Sequence, residues 1–141
     1  MKVAVIHGPN LRLLGTREPE VYGSDTLDDV NAALEALATE LGAEIESFQS
    51  NHEGALIDKI HEWADLGFDG LILNPGGFTH TSVALRDAVV ASGLKTMEVH
   101  LSNIHAREDF RHKSLISGIA HGVIAGLGAD GYAYALQKLV S

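Results

Sequence analysis

Asparagine and histidine side chains follow several short apolar runs of this sequence, and these residue types can bind and protonate a small polar molecule. Asn10 follows the first run, and His100 ends a later one. A third such run lies between these two runs in the chain, and it is followed by Asn74 and His80. A histidine exchanges protons near neutral pH, and an asparagine side chain both donates and accepts hydrogen bonds. If these runs are neighbouring strands, their ends form one site for acid–base chemistry.

Arginines accompany these polar groups and indicate an anionic ligand. The segment 11–25 is longer than the connection of about 2–6 residues that is usual between a strand and a helix, and long loops are often functional lids. It carries three side chains of interest: Arg12, Arg17 and Tyr22. Arg107 and Arg111 follow the run that ends at His100. A few arginines gathered in a cleft can attract an anion even in an acidic protein.

The elements that position these side chains are β-branched runs that alternate with helical patterns, as is typical of βα units on a parallel sheet. The predicted strands are 2–7, 44–49, 70–74, 96–100 and 121–125. Thr26 and Asp29 form a capping pattern for a first long helix that Gly42 ends. Further helices are predicted at 54–66, 82–91 and 130–139. The pattern predicts a single domain over residues 1–141, a flavodoxin-like doubly wound five-stranded parallel sheet of strand order 2-1-3-4-5.

In such sheets, ligands bind beyond the carboxyl ends of the strands, near the point where the winding reverses. The first, third and fourth strands are neighbours in the predicted order, so their exits should converge on one cleft. The exits of the second and fifth strands carry less of this pattern. We therefore expect them to contribute less.

Composition excludes several classes of function. The chain has 10 Lys+Arg against 19 Asp+Glu, a formal charge of −9, which disfavours nucleic acid and anionic membranes as partners. The absence of cysteine removes disulfides, zinc–thiolate sites and thiol nucleophiles. No HExxH or Walker motif is present, so neither a metal nor a nucleotide cofactor is expected. The opening apolar run is too short for a secretory leader and no run approaches a membrane span, so the cytoplasm is the expected location.

Four segments resemble the type II 3-dehydroquinate dehydratase family. They are GPNLRLLGTREPEVYG at 8–23, QSNHEG at 49–54, NPGGFTHTSVALRDA at 74–88 and EVHLSNIHAREDFRHKS at 98–114, and GVIAGLGADGY at 122–132 extends the resemblance to the last helix. The resemblance implies a cofactor-free lyase that removes water from 3-dehydroquinate through an enolate to give 3-dehydroshikimate. The sequence leaves open whether the reaction serves shikimate biosynthesis or quinate catabolism.

The resemblance also implies catalytic roles. Tyr22 would remove a proton from C2, and Arg17 would stabilise its phenolate. Asn10 would hold the water that stabilises the enolate, while His100, oriented by Glu98, would protonate the departing C1 hydroxyl. A tyrosine with a pKa of about 10 is about one-thousandth ionised at neutral pH. A cation about 4 Å away can supply on the order of 4 kcal/mol towards ionising it, which makes one well-placed arginine sufficient.

Six residues are implied as substrate contacts: Asn74, His80, Asp87, Leu101, Ser102 and Arg111. Asn74 and the backbone of the pair that follows His100 would bind the substrate carboxylate, and His80 and Arg111 would bind the ring hydroxyls. Asp87 would reach in from a neighbouring subunit, because the family assembles as a homododecamer built from trimers.

The sequence departs from the family pattern at several positions. Arg12 stands where asparagine is common, Gly77 and Phe78 stand where Ala-Tyr is common, and Asp109 replaces a frequent proline. His7 occupies a position that varies with asparagine. None of these changes removes a residue assigned to a catalytic step, although Arg12 would affect the lid or the affinity for substrate.

Less specific interpretations stay open from the residues alone. Isolated tyrosines, arginines and histidines are more often structural than catalytic, and asparagines beside Pro9 and Pro75 also form turns. A flavodoxin-like regulatory or ligand-binding module without turnover is the alternative of another class, and a colourless protein would count against a flavin-binding version. The alternative enzyme is a related hydratase or lyase that acts on a different cyclic hydroxy acid.

Overall fold

Five parallel strands form the central sheet of the computed structural model, which describes residues 1–16, 18–22 and 24–141, with only the backbone of Tyr22. The strands are β1 (Lys2–His7), β2 (Glu44–Gln49), β3 (Gly70–Asn74), β4 (Lys95–His100) and β5 (Gly122–Ala125). Their order is β2-β1-β3-β4-β5, and every neighbouring pair is parallel. The predicted doubly wound α/β architecture and its strand order are confirmed.

The central strands are buried on both faces, which explains their continuous apolar character. Every residue of β3 is buried, as are the last five of β1. The edge strand β2 instead has only exposed and partly buried positions. His7 at the end of β1 is opposite Gln49 on one side and Asn74 on the other, so three strands end at one level of the sheet.

The first long helix, α2 (Leu27–Leu41), follows a short helix, α1 (Pro19–Tyr22). It begins with the predicted capping box, in which Asp29 N–H donates to Thr26 Oγ1 at 3.1 Å and Thr26 N–H donates to Asp29 Oδ2 at 3.0 Å. It ends at Gly42, whose φ of 72° lies in the left-handed region that glycine adopts without a steric penalty. Both predicted ends of this helix are confirmed.

The remaining helices are α3 (Glu53–Asp65), α4 (Val83–Ser92) and α5 (Asp130–Val140), and each predicted bound is within one residue. Ser82, predicted as the first residue of α4, is its N-cap, since its Oγ accepts from Leu85 N–H at 2.9 Å. The strand β4 begins one residue earlier than predicted and β5 one residue later. Among the described residues, no helix is both long and apolar enough to cross a membrane.

Two apolar cores, one on each face of the sheet, hold the helices in place. On one face, side chains of β1, β3 and β4 pack against α2 and α5, with Leu34 and Leu136 fully buried. On the other face, the alternate residues of β1 and β3 pack against α3 and α4, with Trp63 and Leu85 fully buried. Complete burial of such side chains contributes about 1.5–3 kcal/mol each. The sheet is therefore a rigid base for whatever its strand ends carry.

The segment 11–25 contains more secondary structure than the long connection predicted from its sequence. A single 3₁₀ turn spans Leu11–Leu13, and Pro19 opens α1, where its missing N–H has no consequence. Leu11 and Leu14 are buried in the core beneath it. Arg17 and Gly23 lie outside the described residues, and the role of this segment as a lid stays a prediction.

Candidate active site

The exits of β1, β3 and β4 border one cleft of about 160 Å³, as predicted. Its polar lining side chains are Asn10, Asn74, His80, His100, Ser102, Arg107 and Arg111. Its apolar lining consists of Pro9, Leu11, Leu13, Leu14, Leu101 and Ile104, together with Gly76 and Gly77. A small apolar-sided cleft with a few converging polar groups is the usual form of a site for a small molecule.

The exits of β1 and β3 touch at Gly8, and this close approach fixes the floor of the cleft. Gly8 N–H donates to the carbonyl oxygen of Asn74 at 2.8 Å. A Cβ at position 8 would lie only 2.4 Å from the carbonyl oxygen of Pro75, so a glycine is required there. Gly76 has a φ of 58°, which also favours glycine.

Asn10 sits in a turn that the exit of β2 holds in place. Its φ is 70°, a left-handed conformation that asparagine tolerates better than most residues. Asn10 N–H donates to Asn51 Oδ1 at 2.9 Å, and Gln49 Nε2 donates to the Gly8 carbonyl at 3.1 Å and to Asn51 Oδ1 at 3.2 Å. The exit of β2 thus adds no side chain to the lining, as expected. It instead holds the backbone of Asn10, which does line the cleft.

Asn74 is buried at the back of the cleft, and its carboxamide is held on both sides. Its Oδ1 accepts from Gly76 N–H at 3.2 Å, and its Nδ2 donates to Tyr132 Oη at 2.9 Å. Tyr132 Oη also lies 3.0 Å from His7 Nδ1, and His7 Nε2 lies 2.8 Å from Asn31 Oδ1. We call Asn31, His7, Tyr132 and Asn74 the His7 network.

Burial determines the charge state inside the His7 network. Desolvation lowers the pKa of His7 to about 4, although the hydrogen bond to Asn31 works in the other direction, so the ring is neutral at pH 7. Burial likewise raises the pKa of Tyr132 well above its usual value. Sequence reasoning left His7 without a role, and its position at the end of a strand beside Asn74 is the signal that could have indicated one.

His80 presents one ring nitrogen to the cleft in a defined form. Its Nδ1 lies 2.8 Å from the carbonyl oxygen of Lys113, and a carbonyl only accepts, so Nδ1 carries a proton. In the neutral ring Nε2 is then an acceptor. His80 is the last residue of the 3₁₀ turn Gly76–His80 and lines the cleft, as the sequence predicted.

His100 and Glu98 form a buried pair at the end of β4, where alternate residues of the strand share a face. Glu98 is fully buried, and its Oε2 is hydrogen-bonded to His100 Nε2. Because the carboxylate accepts, Nε2 carries a proton in either charge state of the ring. The nitrogen left for proton exchange with a ligand is Nδ1, and His100 lines the cleft.

His100 and two serines favour the ionised form of the buried Glu98 carboxyl. Burial by itself raises the pKa of this group. The hydrogen bond and charge of His100, together with hydrogen bonds from the two serines, outweigh burial and lower the pKa below its usual value. Ser117 Oγ donates to Glu98 Oε1 at 2.7 Å, and Ser114 Oγ donates to Oε2 at 2.9 Å. The sequence indicated neither serine.

The turn after β4 brings the backbone of Leu101 and Ser102 to the cleft and is held by the exit of β5. Gly126 N–H donates to the carbonyl of His100 at 3.2 Å, and Gly128 N–H donates to that of Leu101 at 3.0 Å. As with β2, this exit supports the site from behind. Both predicted residues line the cleft.

Two arginines make one wall of the cleft basic. Arg107 Nη1 donates to Ser102 Oγ at 3.3 Å, and Arg111 Nε donates to Glu108 Oε1 at 3.1 Å. The hydrogen bond from Arg111 is the main cause of the lowered pKa of Glu108, an exposed residue beside both arginines. Arg107, which received no individual role from the sequence, therefore joins Arg111 as a cation that an anionic ligand would meet.

The other predicted site residues lie away from this cleft or outside the description. Asp87 is exposed on α4, beyond the first turn, and does not line the cleft of its own chain. Its contact with a neighbouring subunit stays a prediction. Tyr22 ends α1, but its side chain and all of Arg17 lie outside the described residues.

The departures from the family pattern are accommodated without disturbing the cleft. Phe78 packs against the core, and a Cβ at position 77 would meet no atom within 4 Å, so an alanine would also fit. Arg12 and Asp109 are exposed. Within the described ranges, no group of three or more histidine, aspartate or glutamate side chains is arranged to hold a metal ion.

Comparisons with known proteins agree on one family. The family model for class II dehydroquinases matches residues 1–140. A 3-dehydroquinate dehydratase of Geotalea daltonii is 59% identical over 139 residues, which are 99% of this chain and 96% of that protein. The enzyme of the same name from Halothermothrix orenii is 56% identical over 140 residues, covering 99% and 94%.

Solved structures show the same likeness. The type II dehydroquinase of Butyrivibrio crossotus superposes with a TM-score of 0.98 at 44% identity, over 100% of this chain and 98% of that one. The type II dehydroquinase of Propionibacterium acnes gives a TM-score of 0.95 at 42% identity, over 99% and 95%. The similarity therefore extends over the whole length of the chain.

Proposed function

The chain belongs to the class II dehydroquinase family, and we propose on that basis that it is a hydro-lyase that converts 3-dehydroquinate into 3-dehydroshikimate and water. The observation that carries the proposal is the single cleft in which Asn10, Asn74, His80 and the His100–Glu98 pair converge. Those groups can bind a small hydroxy acid and exchange a proton with it. The reaction belongs to the shikimate pathway or to quinate breakdown, in the cytoplasm.

Removal of the C2 proton is the first step. The Tyr22 phenolate accepts this proton, and the electron pair of the C–H bond moves towards the neighbouring ketone to form an enolate. Arg17 stabilises the phenolate before the transfer, since a nearby cation favours the ionised form of an acid. This assignment rests on the family motif at 8–23, which contains both residues.

The enolate oxygen requires a fixed donor, because charge develops there in the transition state. Asn10 holds a water molecule that donates to this oxygen. The support for this role is that Asn10 lines the cleft and that Asn51 fixes its backbone. The backbone of Asn10 is therefore held in place without substrate.

Elimination of the C1 hydroxyl completes the reaction. The enolate electrons form the C1–C2 double bond, the C1–O bond breaks, and the leaving hydroxyl takes a proton from His100 Nδ1 to become water. Glu98 holds the ring through Nε2 and stabilises its positive charge before the transfer. Tyr22 then holds the proton taken from C2, and His100 lacks the proton that left with the water, so net transfer of one proton from Tyr22 to His100 through solvent restores both groups.

The substrate is oriented by its carboxylate and its ring hydroxyls. Asn74 and the backbone of Leu101 and Ser102 bind the carboxylate, while His80 and Arg111 bind the hydroxyls. All five residues line the cleft. Arg107 adds positive charge to the same wall, which attracts an anion into an otherwise acidic protein.

We also assign Asp87 to the site of a neighbouring subunit in a homododecamer. Asp87 lies on an exposed face of α4 between Val83 and Val90, each of which is 58% exposed. Subunit complementation tests the assignment. Tyr22→Phe and Asp87→Asn chains, each inactive, should regain activity when unfolded together and reassembled, and inactive mixed oligomers would refute the shared site.

Direct incubation with 3-dehydroquinate tests the proposed function. The product is a conjugated enone, so ultraviolet absorbance should rise with time, and chelator should leave the rate unchanged. Borohydride with substrate should trap no covalent adduct. A purified, folded protein that produces no enone would overturn the proposal, and activity that is lost with chelator and restored by metal would overturn its cofactor-free mechanism.

A further inference from the structure

The His7 network lies directly behind the cleft, and no step proposed above uses its three inner members. His7 and Tyr132 are 0% and 1% exposed, and Asn31 on α2 is partly buried. The network joins residues of α2, α5, β1 and β3, so it ties the sheet to both helices of one layer. Only Asn74 reaches the cleft.

The order of protons in this network follows from one backbone group. Gly76 N–H only donates, and it lies 3.2 Å from the Asn74 carboxamide, so the oxygen of Asn74 must face it. The nitrogen of Asn74 then faces Tyr132 Oη and donates to it at 2.9 Å. Because this hydroxyl accepts from Asn74, its own hydrogen needs a different acceptor.

His7 supplies that acceptor. Its Nδ1 lies 3.0 Å from Tyr132 Oη and can accept only if it carries no proton. Burial keeps the ring neutral at pH 7, so its single proton is on Nε2, which donates to Asn31 Oδ1 at 2.8 Å. Every hydrogen bond in the network therefore has one direction.

This order leaves one hydrogen of Asn74 unassigned. The Nδ2 group carries two hydrogens, and Tyr132 takes only one of them. We propose that His7 and Tyr132 are positioning residues that hold the Asn74 carboxamide with its second N–H directed at the substrate carboxylate. A carboxamide turned over would present its oxygen to the anion and repel it. The inference rests on the proposed function, which supplies the carboxylate.

The first test removes one hydroxyl from α5. Tyr132→Phe should raise KM for 3-dehydroquinate about tenfold and change kcat by less than about threefold, because the lost interaction contributes equally to substrate and transition state. Tyr134→Phe is the matched control, since it removes a tyrosine hydroxyl from an exposed position of the same helix. Equal KM values for the two variants would overturn the proposal.

A pair of substitutions at position 7 tests the direction of the network and stands independently if Tyr132→Phe fails to fold. The amide of an asparagine reaches the place of the imidazole Nδ1, whereas that of a glutamine reaches the place of Nε2. His7→Asn should therefore keep a KM close to that of the wild type, and His7→Gln should raise KM about tenfold. The opposite ranking, or equal KM values, would contradict the proposal.

The nitrogen-15 spectrum of His7 decides the proton order without substrate. Nδ1 should be unprotonated and Nε2 protonated at pH 7, and the reverse order would overturn the proposal. Wild-type protein that shows this order but produces no enone would instead contradict the proposed function. The two failures are thereby distinguishable.

Discussion

His7 and His100 end two strands of one sheet, both buried, yet their surroundings suit them to opposite tasks. His7 faces a phenol and a carboxamide, and burial lowers its pKa to about 4. His100 faces the Glu98 carboxylate, which two serines help to keep ionised. One histidine is held neutral as a fixed hydrogen-bonding group, and the other is placed to give up a proton. Because both histidines are buried, the difference between them lies in their partners, which are uncharged for His7 and a carboxylate for His100.

The largest effect should come from removing His100, the proposed proton donor. His100→Ala should lower kcat about 10²–10⁴-fold, the range that a general acid contributes. Exchange of the C2 proton with solvent should continue, because it precedes loss of the hydroxyl. Proton NMR in deuterium oxide measures this exchange, and Tyr22→Phe should abolish it. Loss of exchange in His100→Ala would break the distinction between acid and base.

Changing the partner of His100 should be the next most damaging. Glu98→Gln keeps the shape of the side chain but removes the charge, and its amide group can turn the ring to the wrong tautomer. We expect kcat to fall at least about tenfold, since loss of an orienting carboxylate beside a catalytic histidine is costly. Ser114→Ala is the control, as it removes one donor but keeps the charge. Unchanged kcat in Glu98→Gln would show that His100 acts as the acid without a carboxylate beside it.

The neutral histidine should affect stability against pH. Well above pH 6.5, His7 is neutral in both the folded and the unfolded chain. As the pH falls from about 6.5 towards 4, the unfolded chain binds a proton at His7 that the folded chain does not bind. This difference in proton binding lowers the free energy of unfolding by up to about 3 kcal/mol over that pH range. Denaturant titrations of wild type and His7→Asn should diverge there. Parallel curves would mean that His7 is not held neutral.

The smallest effect should come from the outer end of the His7 network. Asn31→Ala removes the acceptor of His7 Nε2 and should cost about 1 kcal/mol in the free energy of unfolding, the usual net value of one hydrogen bond. Denaturant unfolding at pH 7 measures this loss. Glu35→Ala on the same helix is the exposed control. If Asn31→Ala changed kcat more than Glu98→Gln does, the proposed division of roles between His7 and His100 would be wrong.

The strands and caps were predictable from the sequence because their signals are local. Continuous apolar runs mark β1 and β3, while Thr26, Asp29 and Gly42 mark the ends of α2 by chemistry that acts within one turn. Most bounds that differ do so by one residue, as at Ser82, where a capping side chain and a first helical residue have the same sequence signal.

The support behind the cleft was not predictable, because its partners are distant in the chain. Tyr132 contacts Asn74 across 58 positions and His7 across 125. Nothing local marks such pairs. The convergence of Asn10, His80 and His100 was predictable, because parallel topology places the ends of neighbouring strands together whatever their distance in sequence. Ser114 and Ser117 were missed because serines are common in loops.

The strand order has a consequence for how the protein acquires its cleft. The strand β3 lies between β1 and β4, so every wall of the cleft depends on pairings between segments tens of residues apart. Such contacts form late and slowly, because loop-closure entropy must be overcome first. A chain emerging from the ribosome therefore has no complete cleft before β4 has emerged and paired with β3. Ligand affinity appears only with the completed sheet, and a bound ligand then favours the folded state by mass action.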